Sequence, residues 1–406
     1  MFDFPASPSI GQIYAPAGGP SYIWDGTKWK ATGSSGTTLA ATAQGNILVR
    51  NSAGAGPFEQ LKITDLPGLS PPGQSDVMLG YSGTGTGQPR AISAGSISGL
   101  SGVVHPQGRL TLTASSPVMN ADVAGGTTIR YTSYLGYYVP IYLGSGVPQA
   151  QLWGSGDLTQ LLTDATKSPA AAVANSNYDI FLWMDAGTPR ISRGPPWTSD
   201  TARGTGAGTT ELVRPTGIAI YLNANAITNG PVAQRGTYLG TIRTNASATC
   251  DFISGGVGNG GVQSVLGIWN AYNRIVHRSN IFDNTSYTSI IGGSWQAMGA
   301  NNKINWVRGL DEDMVEAEFY APCQPGASSD ISVSIGISAA AGPMTAIGYS
   351  NSATMVELHA IYRGYLGIGY RSIIPIARVL NGANAGSVFG SSTGFSLAEF
   401  GAQISY

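Results

Sequence analysis

The sequence predicts an all-β protein with an N-terminal hairpin module, a short β-repeat stalk and a large head of β-sandwich or jelly-roll type. Three observations point there. Glycine accounts for 57 of 406 residues, about twice its usual share, which suits tight turns and close backbone approach. Charged residues make up only 11%, against roughly 25% in an average domain, too few for long solvated helices. Branched and aromatic runs of strand length recur throughout, bounded by Gly, Pro or Asn, without helices recurring between them.

Residues 1–32 form the first module. At its centre, "YIWDGTKW" (Tyr22–Trp29) places Asp25-Gly26 between alternating aromatic and polar residues. That is the signature of a hairpin with a type I′ turn. It predicts Trp24 opposite Thr27 and Tyr22 opposite Trp29, with the aromatics available to dock on a partner surface. A lone hairpin is marginal in water, so a partner or further copies are expected to cover it.

Residues 33–104 contain an internal repeat. "GNILVRNSAGAGPFEQLKITDLPGL" (Gly45–Leu69) aligns with "SDVMLGYSGTGTGQPRAISAGSISGL" (Ser75–Leu100). Ile47, Leu48 and Val49 match Val77, Met78 and Leu79 at an offset of 30, and Leu61, Leu66 and Leu69 match Ile92, Ile97 and Leu100 at 31. Each unit reads as strand, glycine-rich tip and return strand. Two units hold too few apolar residues for a core of their own. Three chains side by side would supply the rest, so an ordered homotrimeric stalk is expected rather than a flexible linker.

The head divides by sequence into residues 105–262 and 263–406. Strands are expected in "GRLTLTA", "TTIRYTSYLGYYVPIYLG", "YDIFLWMD", "GIAIYLNANAI" and "GTYLGTIRT", then in "SVLGIWNAYNRIVHRS", "KINWVRGL", "MVEAEFYA", "ISVSIGIS", "VELHAIYRGYLGIGYRSIIPIARVL" and "AEFGAQISY". One exception is a short helix capped by Asp157, in which Leu158, Leu161, Leu162 and Ala165 would share a face.

Composition also excludes functions. A net charge of −1 and 16 arginines scattered singly leave no electrostatic footprint for nucleic acid. No run approaches the ~20 apolar residues that span a bilayer, and the N-terminus lacks the basic and apolar regions of a secretory signal. A soluble chain without membrane insertion is expected. Cys250 and Cys323 are too few for a zinc motif and read as two buried thiols or one long-range disulfide.

The motifs that suggest chemistry fail on position. "RGTGAGTTELVR" (Arg203–Arg214) resembles a phosphate cradle, yet Thr209 stands where a dinucleotide fingerprint needs its third glycine, and no lysine completes a Walker loop. The preceding "RGPPWTSD" reads as proline-broken rather than a buried strand. Tight turns explain the glycines, with Glu211 pairing Arg203 or Arg214. "GSSTG" around Ser392 fits a nucleophile elbow, but no histidine follows it. Asp311 and Asp313 are spaced like calcium ligands, while Val315 and Glu316 hold the next ligand and glycine positions. Glu316 and Glu318, two apart on a strand, would lie about 6–7 Å from each other, within the range of a glycosidase pair. The wet face of a strand is the commoner setting. His105, His277 and His359 show no metal spacing, and two sequons occur at Asn245 and Asn284. No cofactor, metal or enzyme activity is expected.

Several segments together resemble structural proteins of tailed bacteriophages. "SPSIGQIYAPAGGPSYIWDGTKW" is similar to a short N-terminal motif of that group. "PQGRLTLT" (Pro106–Thr113), "RGTGAGTTEL" (Arg203–Leu212), "RGTYLGTIRT" (Arg235–Thr244) and "WNAYNR" (Trp269–Arg274) are similar to blocks of a fibre-type family. The resemblance covers residues 1–32 and roughly 105–310. It implies a virion structural protein, usually homotrimeric, anchored to other virion proteins by its N-terminus through Tyr22, Trp24 and Trp29. The head would adsorb to host-surface polysaccharide as a tail fibre, or decorate collar or capsid without a receptor; a polysaccharide depolymerase is the remaining alternative. Trp197, Tyr287 and Trp295 are the candidate receptor contacts, because aromatic faces stack on sugars.

Overall fold

The structure is a computed structural model. It describes residues 4–17, 21–32 and 105–406, apart from 147, 256–262, 283–286, 339–347, 352–353, 381–383 and 391–397, together with the backbone of four strands between 47 and 93. Every regular element among the described residues is a β-strand, so the protein is all-β, and no helix there is long and apolar enough to cross a membrane. The chain forms two compact units, Met1–Ile97 and Ser98–Tyr406.

In the first unit, strands Ile13–Tyr14, Ser21–Trp24 and Trp29–Thr32 make an antiparallel sheet. The hairpin is real, but its register differs from the expected one by two residues: Trp24 faces Trp29, and Tyr22 faces Ala31. The Asp25 carboxylate explains the shift. It accepts hydrogen bonds from the Thr27 and Lys28 amides and the Thr27 hydroxyl, each at 2.9 Å. This closes a four-residue loop of Asx type instead of a two-residue turn. These hydrogen bonds, foremost those from the Lys28 and Thr27 amides, hold the Asp25 carboxyl well below the usual carboxylate range.

The two repeat units are both hairpins, Ile47–Arg50 with Phe58–Leu61 and Val77–Tyr81 with Pro89–Ser93. Ile47 pairs with Leu61 and Arg50 with Phe58; Met78 pairs with Ile92 and Tyr81 with Pro89. A uniform shift of 31 residues therefore relates the two ladders. In that register Ile47 corresponds to Met78 rather than to Val77.

The second unit is built on three large sheets. One runs in the order Thr188–Pro196, Asn177–Asp185, Thr237–Arg243, Leu222–Asn223, Leu212–Val213, with Ile268–Asn270 also paired to Thr237–Arg243. A second, eight-stranded, sheet is centred on Gly369–Leu380, flanked by Asp330–Ile337 and Ile304–Arg308. The third is centred on Val315–Gln324, with Val356–Gly364 along one edge and Glu399–Ser405 along the other. Along Val315–Gln324 the pattern alternates: Val315, Ala317, Phe319, Ala321 and Cys323 are buried, while Glu316, Glu318 and Tyr320 point outward. The buried set shares one core with Ile331, Val333, Ile335, Ile373 and Val379 of the eight-stranded sheet, which is a sandwich.

That core continues from Leu110 to Tyr406. The division drawn at residue 262 falls inside the connection between paired strands Cys250–Ile253 and Ser264–Leu266, and the core is continuous across it.

Two local expectations are corrected. Leu158–Leu161 is an edge strand paired with Thr128–Tyr131, not a helix. Asp157 accepts from the Ser115 amide at 2.9 Å and the Thr132 hydroxyl at 2.8 Å, so it ties two segments together instead of capping. Thr188–Pro196 is a continuous strand despite its prolines. It lies at the sheet edge, where a missing amide donor costs nothing.

Candidate functional site

Four segments of the head, Pro106–Thr113, Arg203–Leu212, Arg235–Thr244 and Trp269–Arg274, lie up to 168 positions apart in sequence, yet the structure interlocks them. Asn270 of "WNAYNR" uses its side-chain amide as a mock strand: it accepts from the Leu110 amide at 2.6 Å and donates to the Leu110 carbonyl at 3.3 Å. Asn273 donates to the carbonyls of Pro106 at 2.7 Å and Gly108 at 3.1 Å. In return Arg109, fully buried, donates to the carbonyls of Pro117, Asn273 and Tyr406. Its guanidinium sits 4.9 Å from the Tyr406 ring centre. "PQGRLTLT" and "WNAYNR" are thus one joint.

The other two blocks meet at Arg203. Its guanidinium lies 4.5 Å from the Trp197 ring and 5.4 Å from the Tyr238 ring. It donates to Asp179 through Nε at 2.7 Å and Nη2 at 3.3 Å, to the Gly309 carbonyl at 2.6 Å and to the Tyr238 hydroxyl at 3.1 Å. Thr241 donates to the second Asp179 oxygen at 2.6 Å. Its hydroxyl therefore accepts from Tyr238, 2.6 Å away. The result is a closed ring of polarised bonds around a carboxylate of zero exposure. Burial disfavours the Arg203 cation, but Asp179 and then Tyr238 outweigh it, so its pKa rises. Burial likewise pushes the Tyr238 phenol up, and it stays protonated. Backbone approach matters as much as charge here. A Cβ on Gly309 would fall on the Tyr238 hydroxyl, and one on Gly240 on the Trp269 carbonyl.

The glycine loop extends from this joint. Gly204, Gly206 and Gly208 have φ of 81°, 82° and 81°, a left-handed conformation that other residues adopt only under strain. Alternating backbone of this kind can form a nest for an anion. Here the chain supplies the anion itself: the Glu211 carboxylate accepts from the Gly206 amide at 2.9 Å and from Asn225 at 3.3 Å. Glu211 consequently does not pair with Arg203, which Asp179 takes, or with Arg214, which donates to the Ile218 carbonyl.

The carboxylates expected on the strand face do not converge. Glu316 pairs with Arg363, and Glu318 with Arg278 and His359. Asp311 lies 3.4 Å from Arg308, and Asp313 3.2 Å from Arg274. No group of three or more His, Cys, Asp or Glu suited to a metal occurs among the described residues. His277 packs edge-on against Phe252 and Tyr406, and His359 against Tyr320. His105 is exposed, 6.1 Å from the Tyr272 ring. Cys250 and Cys323 are both buried and free, the first of the two readings. The Asn245 side chain caps its own turn, accepting from Ser247 and Thr249, whereas Ser392 and Asn284 lie outside the described residues.

The receptor candidates are scattered: Trp197 follows the strand Thr188–Pro196, Trp295 precedes Gln296–Ala297, and Tyr287 lies in Tyr287–Ile290. Trp197 is 6% exposed beneath Arg203; it is a packing residue and offers no face to a sugar. Trp295 is half-buried with Arg378 stacked 4.4 Å from its ring. Tyr287 begins the strand Tyr287–Ile290, opposite Phe389, and its side chain lies outside the described residues. In the N-terminal module Tyr22, Trp24 and Trp29 belong to a small internal cluster: Phe4 packs 5.0 Å from Tyr22 and 5.3 Å from Trp29, and Trp29 lies 5.5 Å from Trp24. The apolar groups left outside are Ile10 and Ile13, 80% and 64% exposed.

Sequence reasoning missed a second exposed set, Tyr134, Leu135, Tyr137, Tyr138 and Leu152. The signal was present in "YTSYLGYYVPIYLG", which holds more large apolar residues than one buried strand face can absorb. No family model matches the chain, and no curated protein matches its sequence.

Proposed function

We propose that this chain is a fibre of a tailed-bacteriophage virion: homotrimeric, anchored to other virion proteins by residues 1–32, with the all-β head presented for adsorption to host-surface polysaccharide. The observation that carries the reading is the convergence of the four family-like blocks on one frame. Their polar groups bond to backbone carbonyls and to each other, so what the blocks encode is architecture. A composition poor in charge and rich in glycine suits the same role. The arginine-locked head is a rigid carrier for surface loops, where binding residues belong.

The adsorption claim is tested by incubating the fluorescently labelled full chain with host cells, with and without their surface polysaccharide stripped. Saturable binding that is lost on stripping is expected; equal binding to both would overturn it. The same incubation is assayed for new reducing ends. Their appearance would replace the binding role with a depolymerase.

A further inference from the structure

We infer that Arg378, stacked on Trp295, is a binding site for the carboxylate groups of an acidic polysaccharide. The inference rests on the adsorption reading above and deepens it by naming the site and the class of sugar.

Arg378 lies in the strand Gly369–Leu380, opposite Ser332 of Asp330–Ile337. Its neighbours Ala377 and Val379 turn into the sandwich core, so strand alternation puts Arg378 and Ser332 on the other face of the sheet. On the opposite flank Gln296 pairs with Ala377. That pairing brings Trp295 alongside, and the guanidinium stacks 4.4 Å from its ring centre. Both side chains are half-buried.

Elsewhere in the head the chain answers its own arginines. Arg203, Arg243, Arg278 and Arg363 meet carboxylates, and Arg109 and Arg193 meet backbone carbonyls. Arg378 meets neither among the described residues, and its Nε is buried with no hydrogen-bond partner. Asp330, diagonal to it in the ladder, makes no ion pair with it. An N–H donor withdrawn from water and left unused is costly, and an arriving acceptor recovers that cost. The unused donors form a planar fork that fits a carboxylate through two parallel bonds. Trp295 is the positioning residue. Its ring fixes the plane of the fork before the ligand arrives and favours the cation over its face.

The surroundings leave room for a sugar. Ile291–Ser294 is exposed beside the pair, and a Cβ on Gly292 or Gly293 would meet nothing within 4 Å. The Val379 amide donates to the Gly292 carbonyl at 3.2 Å, which pins this rim next to Arg378. Ser294, exposed at the rim, offers a hydroxyl to the sugar beyond its carboxylate. One fork holds a lone anion weakly, whereas a polymer that repeats its carboxylate returns one to the site each time another leaves.

The test is calorimetric binding of the full chain to polysaccharide stripped from host cells, in native form and with its carboxyl groups reduced to alcohols. The reduced polymer should bind about tenfold more weakly or worse, the loss expected for one charge-assisted fork. Arg378→Gln should lose as much on the native polymer and nothing further on the reduced one. Arg371→Gln, which removes the same charge further along the strand, should bind like the unaltered chain. Trp295→Leu should weaken native binding and Trp295→Phe restore it. Urea midpoints are taken for every variant, and Arg378→Lys, which keeps the cation but not the fork, carries the test where Arg378→Gln is unfolded. A folded Arg378 variant that binds the native polymer like the unaltered chain overturns the site while leaving adsorption standing, as does equal binding of both polymers. Equal losses in Arg378→Gln and Arg371→Gln overturn it too, since charge alone then suffices. Binding of neither polymer overturns both readings.

Discussion

Asp179 and Arg203 hold the centre of the head, and removing either partner tests that claim quantitatively. Asp179 has zero exposure and accepts two bonds from Arg203 and one from Thr241. Asp179→Asn keeps the shape but turns an amide donor toward the Arg203 donors. Arg203→Met keeps the chain length and leaves the carboxylate with only Thr241. Breaking one side of a buried ion pair strands the other charge and costs about 3–5 kcal/mol. Both single variants should lose that much stability. The double variant, which strands no charge, should be less destabilised than the sum by about 3 kcal/mol. The assay is urea unfolding of the full chain at one fixed concentration, since oligomers shift with concentration, read by tryptophan fluorescence. Trp197, stacked on Arg203, reports the local change. Single losses below about 1 kcal/mol that simply add would refute the buried ring, since that is how an exposed, screened pair behaves.

Gly309→Ala places a methyl on the Tyr238 hydroxyl and should cost about 1–3 kcal/mol in the same unfolding assay; an unchanged midpoint would contradict the close approach. Burial pushes the Cys323 thiol up to about 12 and the Cys250 thiol higher still, so at pH 8 neither should react with a thiol reagent until the chain is unfolded. Unfolding should also be identical with and without reductant. His277 has its Nε2 buried without a partner, and burial lowers its pKa despite the opposing pull of Asp122. The unfolded chain then takes up the proton first, so stability is intact above about pH 6.5 and falls as the pH drops through that value toward the folded pKa. His277→Phe should flatten this part of the stability–pH profile, and a profile of unchanged slope would show that His277 is not its source.

Much of the architecture was legible because strands advertise themselves. Runs such as "MVEAEFYA" and "ISVSIGIS" carry the alternation or the continuous apolar content of a sandwich strand. Misreadings arose where one side chain redirected the backbone. Asp25 gathers two amides and a hydroxyl, which lengthens the hairpin loop and slips its register by two. Leu158 and Leu161 fit a helical face as well as an edge strand, and pairing with Thr128–Tyr131 decides the matter. The Arg109 and Arg203 joints could not be read at all from spacing. Their acceptors are largely backbone carbonyls, such as Asn273 and Gly309, more than a hundred residues away, and any residue type can supply a carbonyl.

The most direct test of the virion assignment is quantitative mass spectrometry of purified phage particles from cells expressing the full chain, alongside a version lacking residues 1–32. The account predicts the full chain in the particles at a fixed ratio to the major capsid protein, in a multiple of three copies, and absence of the truncated version. Particles devoid of the full chain, or equal incorporation of both versions, would contradict it.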